Sequence, residues 1–314
     1  MLSTSSKLFR AAFSLAIGVI AAATLGGCTS APETFPTPEA AVDALVAAVR
    51  SNNEPQMERI LGNDSKDLIS SGDAVADANG RAKFLQVYDE KHSLTPNGDD
   101  DMTLVVGNND WPLPVPIVKN DKGWYFDTAT GLDEVLSRRI GRNELATIQV
   151  CLAIADAERD YASADFDGNG WREYAQKFFS TPGKKDGLYW PAAAGEPDSP
   201  LGALAAEASA EGYKRDANSG PQPYHGYYYK ILTEQGPDAM GGAMSYICHG
   251  HMIGGFAVVA WPAEYGNSGL KTFIVNHQGI LYERDLGDDT ARLAKEMKAY
   301  NPGPGWVPIA SEAQ

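Results

Sequence analysis

Leu145-Ala-Thr-Ile-Gln-Val-Cys-Leu-Ala-Ile-Ala155 is the stretch on which the fold turns. Leu145, Ile148, Leu152 and Ala155 recur at steps of three and four, which aligns them along one stripe of a helix. The helix is predicted to run from about Leu132 to Ala162 and to join two halves of the chain, with Gly141 and Asn143 as the point where it could divide.

On its N-terminal side, Thr37-Pro38-Glu39 reads as a helix start: a capping hydroxyl, Pro at the first helical position and an acid in the first turn. Val42, Leu45, Val46 and Val49 then give one apolar face. Further helices are predicted over about Glu54 to Leu61, stopping at Gly62, and over Ala82 to Glu90. Strand-like runs follow the Asp99-Asp100-Asp101 acids: Met102 to Val106, Val115 to Lys119, and Trp124 to Asp127, the last two joined by an Asp121-Lys122-Gly123 turn. On the C-terminal side a loop-rich, glycine-rich section precedes strand signals at Tyr227 to Leu232, Met244 to His249, Phe256 to Trp261, Thr272 to Asn276 and Ile280 to Glu283. These read as an antiparallel meander, closed by a helix over Asp288 to Tyr300. The order is that of an α+β chain: an N-terminal α+β domain over residues 37–131, then the long helix and an antiparallel-sheet domain over 132–314. The first domain resembles, in architecture only, the cone-shaped fold of nuclear-transport-factor-2-like domains.

The N-terminus reads differently. Lys7 and Arg10 precede an apolar run from Ala11 to Ala23, and the run ends in Leu25-Gly26-Gly27-Cys28. The run is shorter than the ~20 residues that span a bilayer, so residues 1–27 read as a cleaved export signal. The Leu-Gly-Gly-Cys exit resembles a lipobox, which implies lipid (diacylglycerol and palmitate) on Cys28, a tether over 28–36 and a membrane-held mature chain. Thr29, where retained Gram-negative lipoproteins carry Asp, points to the periplasmic face of the outer membrane in a host of that type.

The chain carries 26 Lys+Arg against 41 Asp+Glu, and without Lys7 and Arg10 the balance is 24 against 41, or −17. Nucleic acid and anionic lipid headgroups would be approached against repulsion, so neither is an expected partner. With 43% apolar and 10% aromatic residues the chain can bury a core.

Five strings carry a more specific likeness: Ile140-Gly-Arg-Asn-Glu-Leu-Ala146, the Asp165-to-Tyr174 loop, Asp186-Gly-Leu-Tyr-Trp-Pro191, Gly226-Tyr-Tyr-Tyr-Lys-Ile-Leu-Thr233 and Phe256 to Gly266. They resemble a bacterial lipoprotein family catalogued as domain of unknown function 2950, which implies an exported or lipid-anchored protein and no assigned activity. The long helix, loop-rich section and sheet of the second half also resemble the pseudopilins of type II secretion, although a long apolar N-terminal helix continuous with the mature domain is lacking.

Motifs with chemistry are sparse. The chain has no Gly-x-Ser-x-Gly elbow, His-Glu-x-x-His or phosphate-cradling Gly loop with Lys, and no catalytic residue is assigned. His249 and His251, two apart, could join His225 in a three-histidine metal site, or stand as ordinary strand-end histidines. Tyr224, Tyr227, Tyr228 and Tyr229 could form a ligand platform or line a half-buried sheet. Cys151 and Cys248, the thiols left after lipidation, are expected to pair in an oxidising compartment, a link worth up to ~4–5 kcal/mol in the loop-entropy model; two buried free thiols are the alternative. Asp165, Asp167 and Asn169 occupy the first, third and fifth places of an EF-hand-like loop, with Gly170 sixth and Glu173 ninth. Gln176 stands where a full EF-hand has its bidentate Glu, so a structural calcium of modest affinity (~10⁻⁴–10⁻³ M) competes with a plain Asx-rich turn.

Two functions are carried forward. One is a non-catalytic envelope protein that binds a partner, expected to be another envelope protein, or stabilises an assembly; the other is an exported hydrolase of envelope material. Neither calls for an organic cofactor.

Overall fold

A computed structural model describes residues 31–62, 65–214 and 220–310. Residues 1–27, expected to be an export signal, and Cys28 lie outside them. The fold is α+β, organised around a long helix as the sequence indicates.

The first half opens with α1 (Pro38–Arg50), whose start is the predicted one: the Thr37 hydroxyl accepts from the Ala40 N–H and Pro38 sits in the first turn. Just before it, Phe35 exchanges backbone hydrogen bonds with Trp124, so the end of the expected tether is already pinned to a sheet. Next come α2 (Glu54–Leu61), α3 (Lys66–Ile69) and α4 (Ala74–Glu90). The last begins well before the predicted Ala82, because Asp73 caps the Ala76 N–H and carries the chain through the weak Asn79-Gly80 pair. A five-stranded antiparallel sheet follows, built from β1 (His92–Pro96), β2 (Asp101–Val106), β3 (Trp111–Pro112), β4 (Ile117–Asn120) and β5 (Gly123–Phe126). Ile60, Leu104, Ile117 and Phe126 are fully buried where the helices meet the sheet.

The connecting helix α5 (Thr128–Ala162) runs unbroken for 35 residues, about 50 Å at 1.5 Å per residue. Gly141 and Asn143 do not divide it. The Asn143 amide donates to the Ser268 carbonyl instead of competing with its own backbone, so the helical ladder continues past it. Near its start a Cβ on Gly131 would stand 2.6 Å from the Pro114 carbonyl oxygen, and only glycine lets the helix approach that loop.

In the second half α6 (Gly202–Ala210) precedes β6 (Tyr227–Leu232), and a glycine-rich excursion holds four two-residue strands, β7 (Glu234–Gln235), β8 (Met244–Ser245), β9 (Ile247–Cys248) and β10 (His251–Met252). The single strand predicted over Met244 to His249 is thus split, because Tyr246 turns inward to full burial and Gly250 ends the run. The main sheet has the order β15-β13-β12-β11-β6 and comprises β6, β11 (Ala257–Pro262), β12 (Lys271–Asn276), β13 (Leu281–Asp285) and β15 (Val307–Pro308). Every residue of β11 is buried, and since successive side chains face opposite ways, both faces of the strand are covered. Helix α5 packs on β11 and β12, and α7 (Thr290–Glu296) packs on β11. The predicted closing helix stops early: β14 (Ala299–Tyr300) takes its last residues and pairs in parallel with β7.

Polar contacts stitch the halves together. Asp73 Oδ2 accepts from the Tyr213 hydroxyl and the Gly226 N–H, both at 2.9 Å. The Glu144 carboxylate on α5 accepts from the N–H groups of Leu270 and Lys271 at 3.0 Å. No described helix is long and apolar enough to cross a membrane.

Candidate functional site

Between α1–α4, the 113–115 segment and the start of α5 lies a cavity of about 300 Å3. Val49, Met57, Leu68, Phe84, Val115 and Val135 contribute to its apolar wall. Its location follows from two helix faces. On α4, Ala76, Asp77, Gly80, Arg81 and Phe84 fall at steps that share one side, and on α5, Val135, Arg139 and Arg142 do the same. Gly80 bears no side chain and a Cβ there would touch nothing within 4 Å, so the α4 wall stops short of its neighbours.

Three guanidinium groups edge this space. Arg81 is largely buried; it donates to the Ile69 carbonyl at 3.3 Å and lies 3.5 Å from Glu54, but its buried Nε–H has no partner. Arg139 donates to the Asp67 and Leu68 carbonyls at 2.6 and 2.8 Å and to the Asn267 side-chain oxygen. These acceptors are neutral, and burial pulls the Arg139 pKa down while Asp77, Asp67 and Glu264 pull it up from a distance. Arg142 is exposed and has no hydrogen bond or ion pair among the described residues; its charge repels that of Arg139. The carboxylate in the lining, Asp77, is engaged by Ser71, whose N–H and hydroxyl donate to it at 3.0 and 2.7 Å.

The acidic loop after α5 is brought together as a hydrogen-bonded knot. Asp165 accepts from the N–H groups of Asn169 and Gly170 at 3.0 and 2.9 Å, which holds its carboxylate below its usual pKa. The Asn169 amide spans Asp167 and Glu173, donating at 2.9 and 2.6 Å. Glu173 also accepts from the Met252 N–H at 2.9 Å and lies 3.0 Å from His251 Nδ1. Burial works to raise the Glu173 pKa, but the bonds from His251, Asn169 and Met252 outweigh it and hold the carboxylate low. These are the hydrogen bonds of an Asx-rich turn, and they bring Asp165, Asp167, Asn169 and Glu173 into one knot. Among the described residues no three His, Cys, Asp or Glu side chains are grouped to hold a metal ion.

That finding also corrects the three-histidine reading. His249 sits at φ 52° in the turn between β9 and β10 and His251 stacks on Trp171, while His225 lies with Tyr213 and Tyr224, 3.7 Å from Glu211. Cys151 and Cys248 are free in this structure, the first buried within α5 and the second exposed on β9, so the expected bridge is not formed here. Tyr227 is a core residue whose hydroxyl donates to the Lys271 carbonyl, while Tyr224, Tyr228 and Tyr229 pack half-buried against that core, the Tyr229 hydroxyl directed toward Thr147.

The cone-like architecture of the first domain allowed for a small-ligand cavity, but sequence reasoning identified neither the residues that line it nor Glu158. The latter is a fully buried carboxyl on α5 whose Oε2 accepts from the Ala175 N–H at 2.8 Å and whose Oε1 has no partner; burial raises its pKa well above the usual range. The arginine pair did leave a signal, since Arg139 and Arg142 are three apart on one helix face of an acidic chain.

No curated protein and no solved structure matches this chain. The model of one family, described as "Protein of unknown function (DUF2950)", matches residues 32–309, nearly the whole described chain, and the protein belongs to that family.

Proposed function

We propose that the mature protein is a lipid-anchored envelope protein, held to the membrane through Cys28, whose cavity in the first half binds a ligand without transforming it. The observation that carries this reading is the cavity itself. An apolar wall gains from covering an apolar ligand, and guanidinium groups at its edge fix orientation, the usual division of labour in small-molecule sites. Asp77, the carboxylate of the lining, is oriented by two hydrogen bonds from Ser71. An envelope protein partner receiving the ligand, or assembling around this chain, fits the same reading.

Native mass spectrometry of the lipidated protein, extracted from its own envelope, tests it. A non-covalent small-molecule companion that stays intact on storage is the expected result. A bare protein, or the release of cleaved product in favour of the hydrolase, would overturn it. The anchor is tested separately: Cys28→Ala should abolish incorporation of radiolabelled palmitate, and persistence of label would remove Cys28 from the account.

A further inference from the structure

We infer that the cavity takes a small amphipathic anion, a carboxylate or phosphate head on an apolar chain, of about ten heavy atoms at ~30 Å3 each, with the head among Arg81, Arg139 and Arg142. This deepens the binding reading above and rests on it.

The first support is the orphan donor. Arg81 lies on the cavity wall with its buried Nε–H unpaired, and an unpaired buried donor is costly enough that folded proteins rarely keep one. An anion in the cavity supplies the missing acceptor, and a charge-assisted one.

The second support is the pair on α5. Arg139 is already committed to three neutral acceptors, which hold its plane fixed but leave its charge uncompensated at contact range. Asp67, Asp77 and Glu264 lie near enough to favour that charge, yet none forms an ion pair with it. Arg142, one turn along, repels it. Two like charges on one helix face at a cavity are unfavourable until something of opposite sign lies against them.

The third support is the contrast with the rest of the chain. A protein of net charge −15 places three guanidiniums and one carboxylate on this lining, and that carboxylate is held by Ser71. The lining itself carries more positive than negative groups, with Glu54 against Arg81 and Asp67 and Glu264 behind Arg139, so an anion is favoured by direct contact with the guanidiniums and not by a long-range field. The apolar wall excludes a bare inorganic anion as the natural fit, because it would leave Met57, Phe84 and Val135 facing empty space.

Equilibrium dialysis of the full-length chain in lipid nanodiscs, with empty nanodiscs as the blank, tests this with four radiolabelled probes: octanoate, octyl phosphate, octanol and acetate. Saturable binding of octanoate or octyl phosphate is expected, with octanol at least about tenfold weaker, the worth of one charge-assisted hydrogen bond. The tighter of the two anions names the head. Acetate, lacking the chain, should not bind. Arg142→Gln should weaken the anion about tenfold with an unchanged melting temperature. Gly80→Leu should fill the cavity and abolish uptake while the protein stays folded. Octanol binding as tightly as octanoate, anion binding untouched by Gly80→Leu, or no saturable uptake of either anion would overturn the assignment. If the protein nevertheless retains a companion from its own envelope, the binding reading survives and only the anion is lost.

Discussion

The two cores of this protein treat charge in opposite ways. In the first half two guanidinium groups, Arg81 and Arg139, stand at the core's edge, and an open volume lies beside them. In the second, the buried acid Glu158 has its pKa raised by burial and is packed over, and Glu173 is wrapped in hydrogen bonds. A closed core must pair what it buries, so the unpartnered Arg81 Nε–H beside an open volume marks where closure is incomplete.

The sharpest way to break that contrast is to overfill both cores. Ala260→Leu on β11, where nothing is exposed, should cost roughly 1–3 kcal/mol or more, because the added atoms have no room. Gly80→Leu should be neutral or stabilising by about 0.5–1 kcal/mol, since helix propensity favours it and the cavity accepts the side chain. Chemical denaturation of the two variants checks this, and equal destabilisation would mean the cavity closes in solution.

The hydrogen-bonded acid comes next. Glu173 has a folded pKa below its unfolded one, so it contributes stability above pH ~4.5 that is lost as pH falls through the lower, folded value. Glu173→Gln should therefore cost about 1.5–3 kcal/mol at pH 7 and flatten the acid limb of the stability profile. An unchanged acid limb would show that the knot forms without the charge.

Glu158 gives the opposite sign. Its folded pKa is raised, so the unfolded chain releases that proton first, and stability falls as pH climbs above ~4.5 toward the folded value. Glu158→Gln should raise the melting temperature by a few degrees at pH 8 and hardly at all at pH 4, because each tenfold difference in proton affinity between folded and unfolded chain is worth about 1.4 kcal/mol. A loss of stability at pH 8 would mean that Glu158 is charged and paired in the native protein.

The smallest effect concerns the thiols. Burial pushes Cys151 up to about 12 while Cys248 is exposed, so a maleimide should label Cys248 in the native protein and Cys151 only after unfolding. Labelling of neither thiol in the unfolded, unreduced protein would mean that the two are bridged.

What the sequence made legible follows period and length. Strands β6, β11 and β12 are readable because β-branched and aromatic residues fill at least half of the six positions in each. The excursion from β7 to β10 is not, since two-residue strands are too short to show a period and their glycines read as turns. Helix α4 lost its first two turns to Asn79-Gly80, although Asp73 marked its true start. The acidic loop was found as a cluster, but whether its amide or an ion would fill the centre depends on His251 and Met252, far along the chain. The cavity's arginines were out of reach for the same reason: Arg81 on α4 and Arg139 on α5 come to one lining only through the tertiary fold, and no local pattern records that.

One carboxylate imposes an order on biogenesis. Asp73 starts α4 with one oxygen and with the other receives Tyr213 and Gly226, groups that leave the ribosome some 140 and 153 positions later. The first sheet and its helices can therefore assemble early, but the capping acid waits half-satisfied until the second half arrives. On the envelope reading proposed above, the chain spends that interval exposed to periplasmic proteases and chaperones. Truncations that end before residue 213 should accordingly be degraded from the α4 end, while longer ones persist.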